Sequence, residues 1–140
     1  MPVLHLGVID VPYTEGGQTT GEVAQILEDE YHVIEIFFEQ KKDQIERILT
    51  ASVESALQAV LMGSPTRDPF SNAGQDIETL FREFLLTSEI EGLGYPGVPT
   101  AAALKGVSHR LAHPYAKANP RRPSFIDTGT YENSFKAWVD

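Results

Sequence analysis

The run Glu22-Val23-Ala24-Gln25-Ile26-Leu27-Glu28-Asp29-Glu30-Tyr31-His32-Val33-Ile34-Glu35-Ile36-Phe37-Phe38, continued to Met62, holds neither Gly nor Pro, and its apolar residues recur at helical spacing. Val23, Ile26, Leu27, Tyr31, Ile34, Phe38, Ile45, Ile48, Leu49, Ser52, Val53, Ala56, Leu57 and Val60 fall on one face of such a helix. Thr19 with Glu22 three residues on has capping-box spacing, and Gly63 followed by Pro65 marks the end. Val33-Ile34-Glu35-Ile36-Phe37-Phe38 is β-branched and aromatic, which leaves a break near 31–36 as the alternative to one helix. Forty unbroken helical residues would span about 60 Å, roughly twice the 30 Å expected across a domain of this size. Such a helix would project, and its apolar stripe would need a partner.

Outward from this run, the chain reads as α+β: a long helix in the N-terminal half and further helices, packed on a small, mainly antiparallel sheet. Val3 to Val11 has strand composition and is expected mid-sheet or buried on both faces, with Pro12 ending it. Tyr13 to Gly21 is a loop. Two prolines, Pro65 and Pro69, separate the long helix from a second one, expected to be capped by Ser71 or Asn72. Ile77, Leu80, Phe81, Phe84 and Leu85 form its core-facing stripe. Thr100 is placed to cap a short helix running to about Ala112. Three prolines and three basic residues then make 113–123 an extended basic arm within a single domain, 1–140. The closing Ser134 to Val139 is a strand expected to pair with Val3 to Val11, or to offer its edge to another subunit. Trp138, expected in the core, would then cost about 3 kcal/mol on truncation to Ala.

Composition bounds the chemistry. There are no cysteines, so neither a disulfide framework nor a thiolate metal site can form. No apolar run approaches a membrane span, and Met1-Pro2-Val3-Leu4 lacks the layout of a signal peptide. The net charge of -9 is uneven: residues 1–95 hold 17 acidic and 5 basic residues, whereas 96–140 hold 3 acidic and 6 basic. The overall acidity argues against general nucleic-acid coating, while the basic C-terminal part could meet an acidic surface of a neighbour or of another copy of the chain.

Few residues invite catalysis. Asp127-Thr128-Gly129 after Phe125-Ile126 resembles the catalytic turn of aspartic proteases, in which two such aspartates share a proton. Eleven residues follow Gly129, too few for the rest of that fold, and the helices are out of place in it. The structural reading is that Asp127 and Thr128 cap a helical turn and Gly129 permits a tight backbone. His109 and His113 stand four apart, but no carboxylate lies near and Lys105 and Arg110 would repel a cation, so no metal is expected. His5 and His32, among apolar neighbours, are expected as partly buried, hydrogen-bonded histidines, and no cofactor motif is present. Lys105, Arg110, Lys117, Arg121 and Arg122 could hold phosphates, but only Tyr115 among them could stack a base, so a protein-docking arm is the reading, with a merely soluble linker as the alternative.

Two stretches carry a family likeness. Gly97-Val98-Pro99-Thr100-Ala101-Ala102 opens a basic helix, and Arg122-Pro123-Ser124-Phe125-Ile126-Asp127-Thr128-Gly129-Thr130-Tyr131-Glu132-Asn133-Ser134-Phe135 leads to the end. This is similar to the ending of tailed-phage virion morphogenesis and tail-completion proteins, which serve as head-to-tail connector or neck subunits. The likeness covers residues 96–140 closely and the acidic helical part in general character; Tyr95 stands where that family often has Trp. It implies a small α+β subunit that is not an enzyme. Such a subunit forms a homo-oligomeric ring with neighbouring connector, neck or tail proteins, in a virion assembled in the host cytoplasm. DNA would pass such a ring without sticking if the lumen were acidic. Its interface would draw on the five basic residues with Tyr131, Phe135 and Trp138, while Asp127, Thr128 and Gly129 make a structural turn. The alternatives are a dimeric aspartic protease using Asp127, and a cellular adaptor with a basic docking arm.

Overall fold

The structure, a computed structural model, describes residues 2–13, 17–107, 119–127 and 129–140. Its elements are β1 (Leu4–Val8), α1 (Thr20–Tyr31), α2 (Val33–Leu61), α3 (Ser71–Leu86), a 3-10 turn (Glu89–Leu93), α4 (Ala101–Lys105), α5 (Thr130–Ser134) and β2 (Phe135–Val139). The fold is α+β with a long helix. The two ends of the chain pair antiparallel, Leu4 opposite Val139 and Val8 opposite Phe135. This is the pairing expected for the C-terminal strand. β1 is half-buried along its length in a two-stranded sheet, so it is neither central nor covered on both faces.

Helix α1 begins as the sequence dictates. Thr19 Oγ1 accepts from Glu22 N and Glu22 Oε2 accepts from Thr19 N, satisfying two orphan donors. Buried Thr20 ties this start to the strand's exit, donating to the Ile9 carbonyl and accepting from Val11 N.

The long helical run is broken at one residue. His32 adopts φ 54°, ψ 43°, ending α1 and opening α2. No side chain at position 32 caps the new helix; instead Glu28 reaches across the break, its two carboxylate oxygens accepting from Ile34 N and Glu35 N. The left-handed residue resets the helical phase, so the stripe read across both helices is only partly the core face. Ala24, Val33, Ile36, Phe37 and Ile45 are buried, whereas Ile26, Phe38, Val53, Leu57 and Val60 are exposed.

Phe37 is the hub of the core. Its ring meets Phe81 edge-on at 5.1 Å, Phe84 at 5.6 Å and Phe135 at 5.9 Å, while Phe81 and Phe135 stack at 4.0 Å. Each such pair adds about 0.5–1.5 kcal/mol to the burial of its area. Helix α3 supplies the expected stripe, with Ile77, Phe81, Phe84 and Leu85 all buried. Its start differs from expectation: Phe70 occupies the cap position without a side-chain bond, Ser71 is the first helical residue, and Asp68 Oδ1 accepts from Phe70 N.

β2 alternates with period two, so Phe135 and Ala137 face the helices while Trp138 points the other way. Trp138 is 49 % exposed and lies stacked on His5 at 5.1 Å. It is not a core residue, and the cost expected for its loss falls with it.

Candidate functional site

The described residues hold one region where apolar surface and open backbone coincide. Its backbone part follows from sheet phase. Val3 and Asp140 exchange both main-chain bonds, and Ile9 N donates to the Ser134 carbonyl, so His5 and Gly7 of β1, like the flanking Val3 and Ile9, are the inward-bonded positions. Leu4 and Leu6 therefore turn their N–H and C=O outward.

The matching edge of β2 is closed. Glu78 Oε1, on a nearly buried side chain of α3, accepts from Ala137 N at 3.2 Å, and Lys136 Nζ stands 3.6 Å from its other oxygen. Gly74 brings the helix so near that an added Cβ would lie 2.4 Å from the Ala137 carbonyl oxygen. A helix thus covers one edge of the sheet, while the other lies beside a groove of about 900 Å³ lined by Leu4, Leu6, Phe38, Ile45, Leu49 and Val53. Lys42 and Glu46 stand on its rim, four residues apart on α2.

The groove runs into bare helix. α2 has 29 residues and α3 has 16, lengths of roughly 43 and 24 Å. Beyond Ile45 no residue of α2 is buried, and Val53, Leu57, Val60, Leu61 and the following Met62 are 53–82 % exposed. A run of this size marks an interaction surface more often than a solvated one. The sequence pointed to it only through its length, since the stripe outlasts what the second helix can cover.

The residues expected at an interface are scattered. Lys105 is exposed at the end of α4, which Thr100 caps through Ala103 N and which stops at Gly106, short of Ala112. Arg110, Lys117 and Thr128, with His109, His113 and residues 113–118 of the arm, lie outside the described residues. The described end of the arm, 119–123, is exposed over 119–121 and half-buried at 122 and 123, and it is tied to the body. Arg121 pairs with Glu91, and Arg122 donates to the carbonyls of Val107 at 2.8 Å and Pro123 at 3.3 Å and to that of Ile126. Tyr131 and Phe135 are buried in the chain's own core, so they hold the fold and are not presented to a neighbour. Gly129, at φ 87°, gives the tight backbone expected of it, but it is also the cap residue of α5, which has no side-chain cap bond; Asp127, expected as a cap, lies exposed two residues before it.

Glu91 anchors this C-terminal segment. Its side chain is 6 % exposed and accepts from Ser124 N at 2.9 Å and Ser124 Oγ at 2.7 Å as well as from Arg121. Burial works against its charge, but the Ser124 bonds and Arg121 outweigh it and hold the carboxyl below its ordinary 4.5. A folded-state value below the unfolded one contributes stability above the unfolded value, and that stability is lost as pH falls through the folded value. Glu132 is the opposite case: burial raises it, with Asp127 adding and its backbone bond and Arg82 opposing. Its charge therefore penalises the fold above the unfolded value. Glu132→Gln is expected to raise Tm at pH 7 and to give no gain below about pH 4. Thermal scans of both proteins across that range check the sign.

Glu28, His32 and Glu35 bring one potential ligand atom each within 4.8 Å of the others. Both Glu28 oxygens already hold the first turn of α2, which makes this cluster a helix joint. The aspartic-protease alternative requires a β-rich barrel, and the described residues hold a two-stranded sheet. No described helix is long and apolar enough to cross a membrane. Compared with protein-family models, with curated proteins and with solved structures, the chain finds no match.

Proposed function

We propose that the protein is a structural subunit of a tailed-phage virion, forming a homo-oligomeric ring at the head-to-tail junction as a neck, tail-terminator or tail-completion protein. The observation that carries the self-assembly is the exposed apolar run Val53, Leu57, Val60, Leu61 and Met62 on the projecting end of α2. A stable monomer rarely leaves so much contiguous apolar surface in water. The placement in a virion rests on the likeness of residues 96–140 to the endings of such proteins. Head-to-tail contacts through such an apolar run close into rings when the rotation allows. Neighbouring connector, neck or tail proteins are the further partners, and DNA would pass through passively.

Leu57→Glu with Leu61→Glu is expected to abolish the large assembly while circular dichroism stays unchanged, because both side chains already face solvent. Negative-stain microscopy of the parent, alone and in particles containing it, is expected to show rings or a collar position. A parent monodisperse as a monomer at high concentration, with the double variant indistinguishable from it, would overturn the reading and favour an adaptor. Asp127→Asn is expected to leave assembly intact.

A further inference from the structure

We propose that two copies of this chain pair through β1, edge to edge and antiparallel about a two-fold axis, so that the two sheets become one of four strands. Only the open edge of β1 and the groove beside it carry the argument; the ring reading is not needed.

Leu4 and Leu6 present main-chain donors and acceptors at that edge, and no described residue takes them. A strand edge of this kind is a template for another strand. The identity of the second strand follows from the closed edge. Glu78 and the backbone of α3 at Gly74 occupy β2 from outside, so a second copy cannot offer β2 in return. Among the described residues, the strand edge that one copy can offer another is β1 itself. Like must therefore pair with like, which is the isologous contact of a two-fold dimer.

The rim of the groove agrees. A two-fold axis reverses the order of Lys42 and Glu46 on the second copy, bringing a cation of one α2 opposite an anion of the other, twice over. The floor of the groove agrees too, because Leu4, Leu6, Phe38, Leu49 and Val53 would be covered by their own counterparts. An unrelated extended peptide would satisfy the edge, but would leave the paired rim charges without counterparts of matching order.

The test exploits the symmetry. Lys42→Glu and Glu46→Lys each place like charges across the axis and are expected to weaken self-association roughly tenfold or more. Both residues are exposed on a helix, so the fold is expected to hold. An equimolar mixture of the two variants, and the double variant Lys42→Glu/Glu46→Lys, are each expected to recover parental association in sedimentation analysis. In the parent, the amides of Leu4 and Leu6 are expected to exchange with deuterium more slowly as protein concentration rises.

Variants that associate like the parent, or Leu4 and Leu6 amides that exchange rapidly at every concentration, would overturn the pairing. Protection of those amides only by an added foreign strand would overturn it as well, by naming another occupant. Rings that persist in both charge variants with unchanged association would sink the pairing and leave the ring reading standing. Recovery on mixing would support the pairing whether or not rings form.

Discussion

A chain that stops before Ser134 is expected not to fold. Truncation there removes Phe135, whose ring lies 4.0 Å from Phe81 and 5.9 Å from Phe37, and with it the surface on which the core of α2 and α3 closes. It also removes every partner of β1, strips the Ala137 amide from Glu78, and leaves that nearly buried carboxylate without its main-chain donor. Phe135→Ala alone is expected to cost about 3–5 kcal/mol, a large share of the roughly 5–15 kcal/mol by which a domain is stable. Trp138→Ala, on the solvent side of the same strand, is expected to cost about 1 kcal/mol, the worth of its stacking on His5. Denaturant unfolding of the two point variants, followed by circular dichroism, checks the contrast. A truncated chain with parental helicity and a cooperative transition would show that the core closes without β2.

The contrast between Phe135 and Trp138 also marks how far the sequence could be read. Both are large aromatics near the end of the chain, and composition gives them equal claims on a core. Which one faces inward is set by strand parity, and parity is fixed by the pairing with β1 and by the arrival of α3, neither of which is local. Local signals were reliable where the chemistry is local. The capping box at Thr19 and Glu22, the cap at Thr100 and the turn at Gly129 each satisfy donors or angles within a few residues. The pairing of the two termini was legible because two apolar strand-like runs had no nearer mate.

What escaped was whatever depended on phase or on a distant partner. Composition admits a break near 31–36, but it does not say that His32 turns left-handed or by how much every later position of the stripe is rotated. The cap of α3 was sought at Ser71 and Asn72 because those types favour caps, whereas Asp68 does the nearby work from within the turn. Arg121 and Arg122 looked like solvated charges in a proline-rich arm; the carboxylate of Glu91 and the carbonyls that bind them come from segments up to 30 residues away. The open edge of β1 was invisible altogether, since a strand's sequence does not say how many neighbours it has.

Gly74→Val is the second substitution expected to have a large effect, and it acts on the contact that closes β2. In a solvated helix the change would be favourable, because Gly is about 1 kcal/mol worse than Ala in a helix interior and Val lies between them. Here the added Cβ would sit 2.4 Å from the Ala137 carbonyl oxygen. That atom belongs to backbone, so no rotamer change can relieve the overlap; α3 or β2 must move. Moving α3 outward lengthens the Glu78 bond to Ala137 N, now 3.2 Å, and separates the stacked rings of Phe81 and Phe135 at 4.0 Å. The expected loss is about 3 kcal/mol, at the upper end of overpacking costs, because the branched side chain adds volume where the hydrogen bond is also disturbed. Gly92→Ala is the control: an added Cβ there meets nothing within 4 Å, and a change within about 0.5 kcal/mol is expected. Denaturant midpoints give both values, and faster exchange of the Ala137 amide in the Gly74 variant would locate the damage at the α3–β2 contact. Equal stability of the two variants would mean that α3 does not hold the edge of β2, and that β2 is as available for strand pairing as β1.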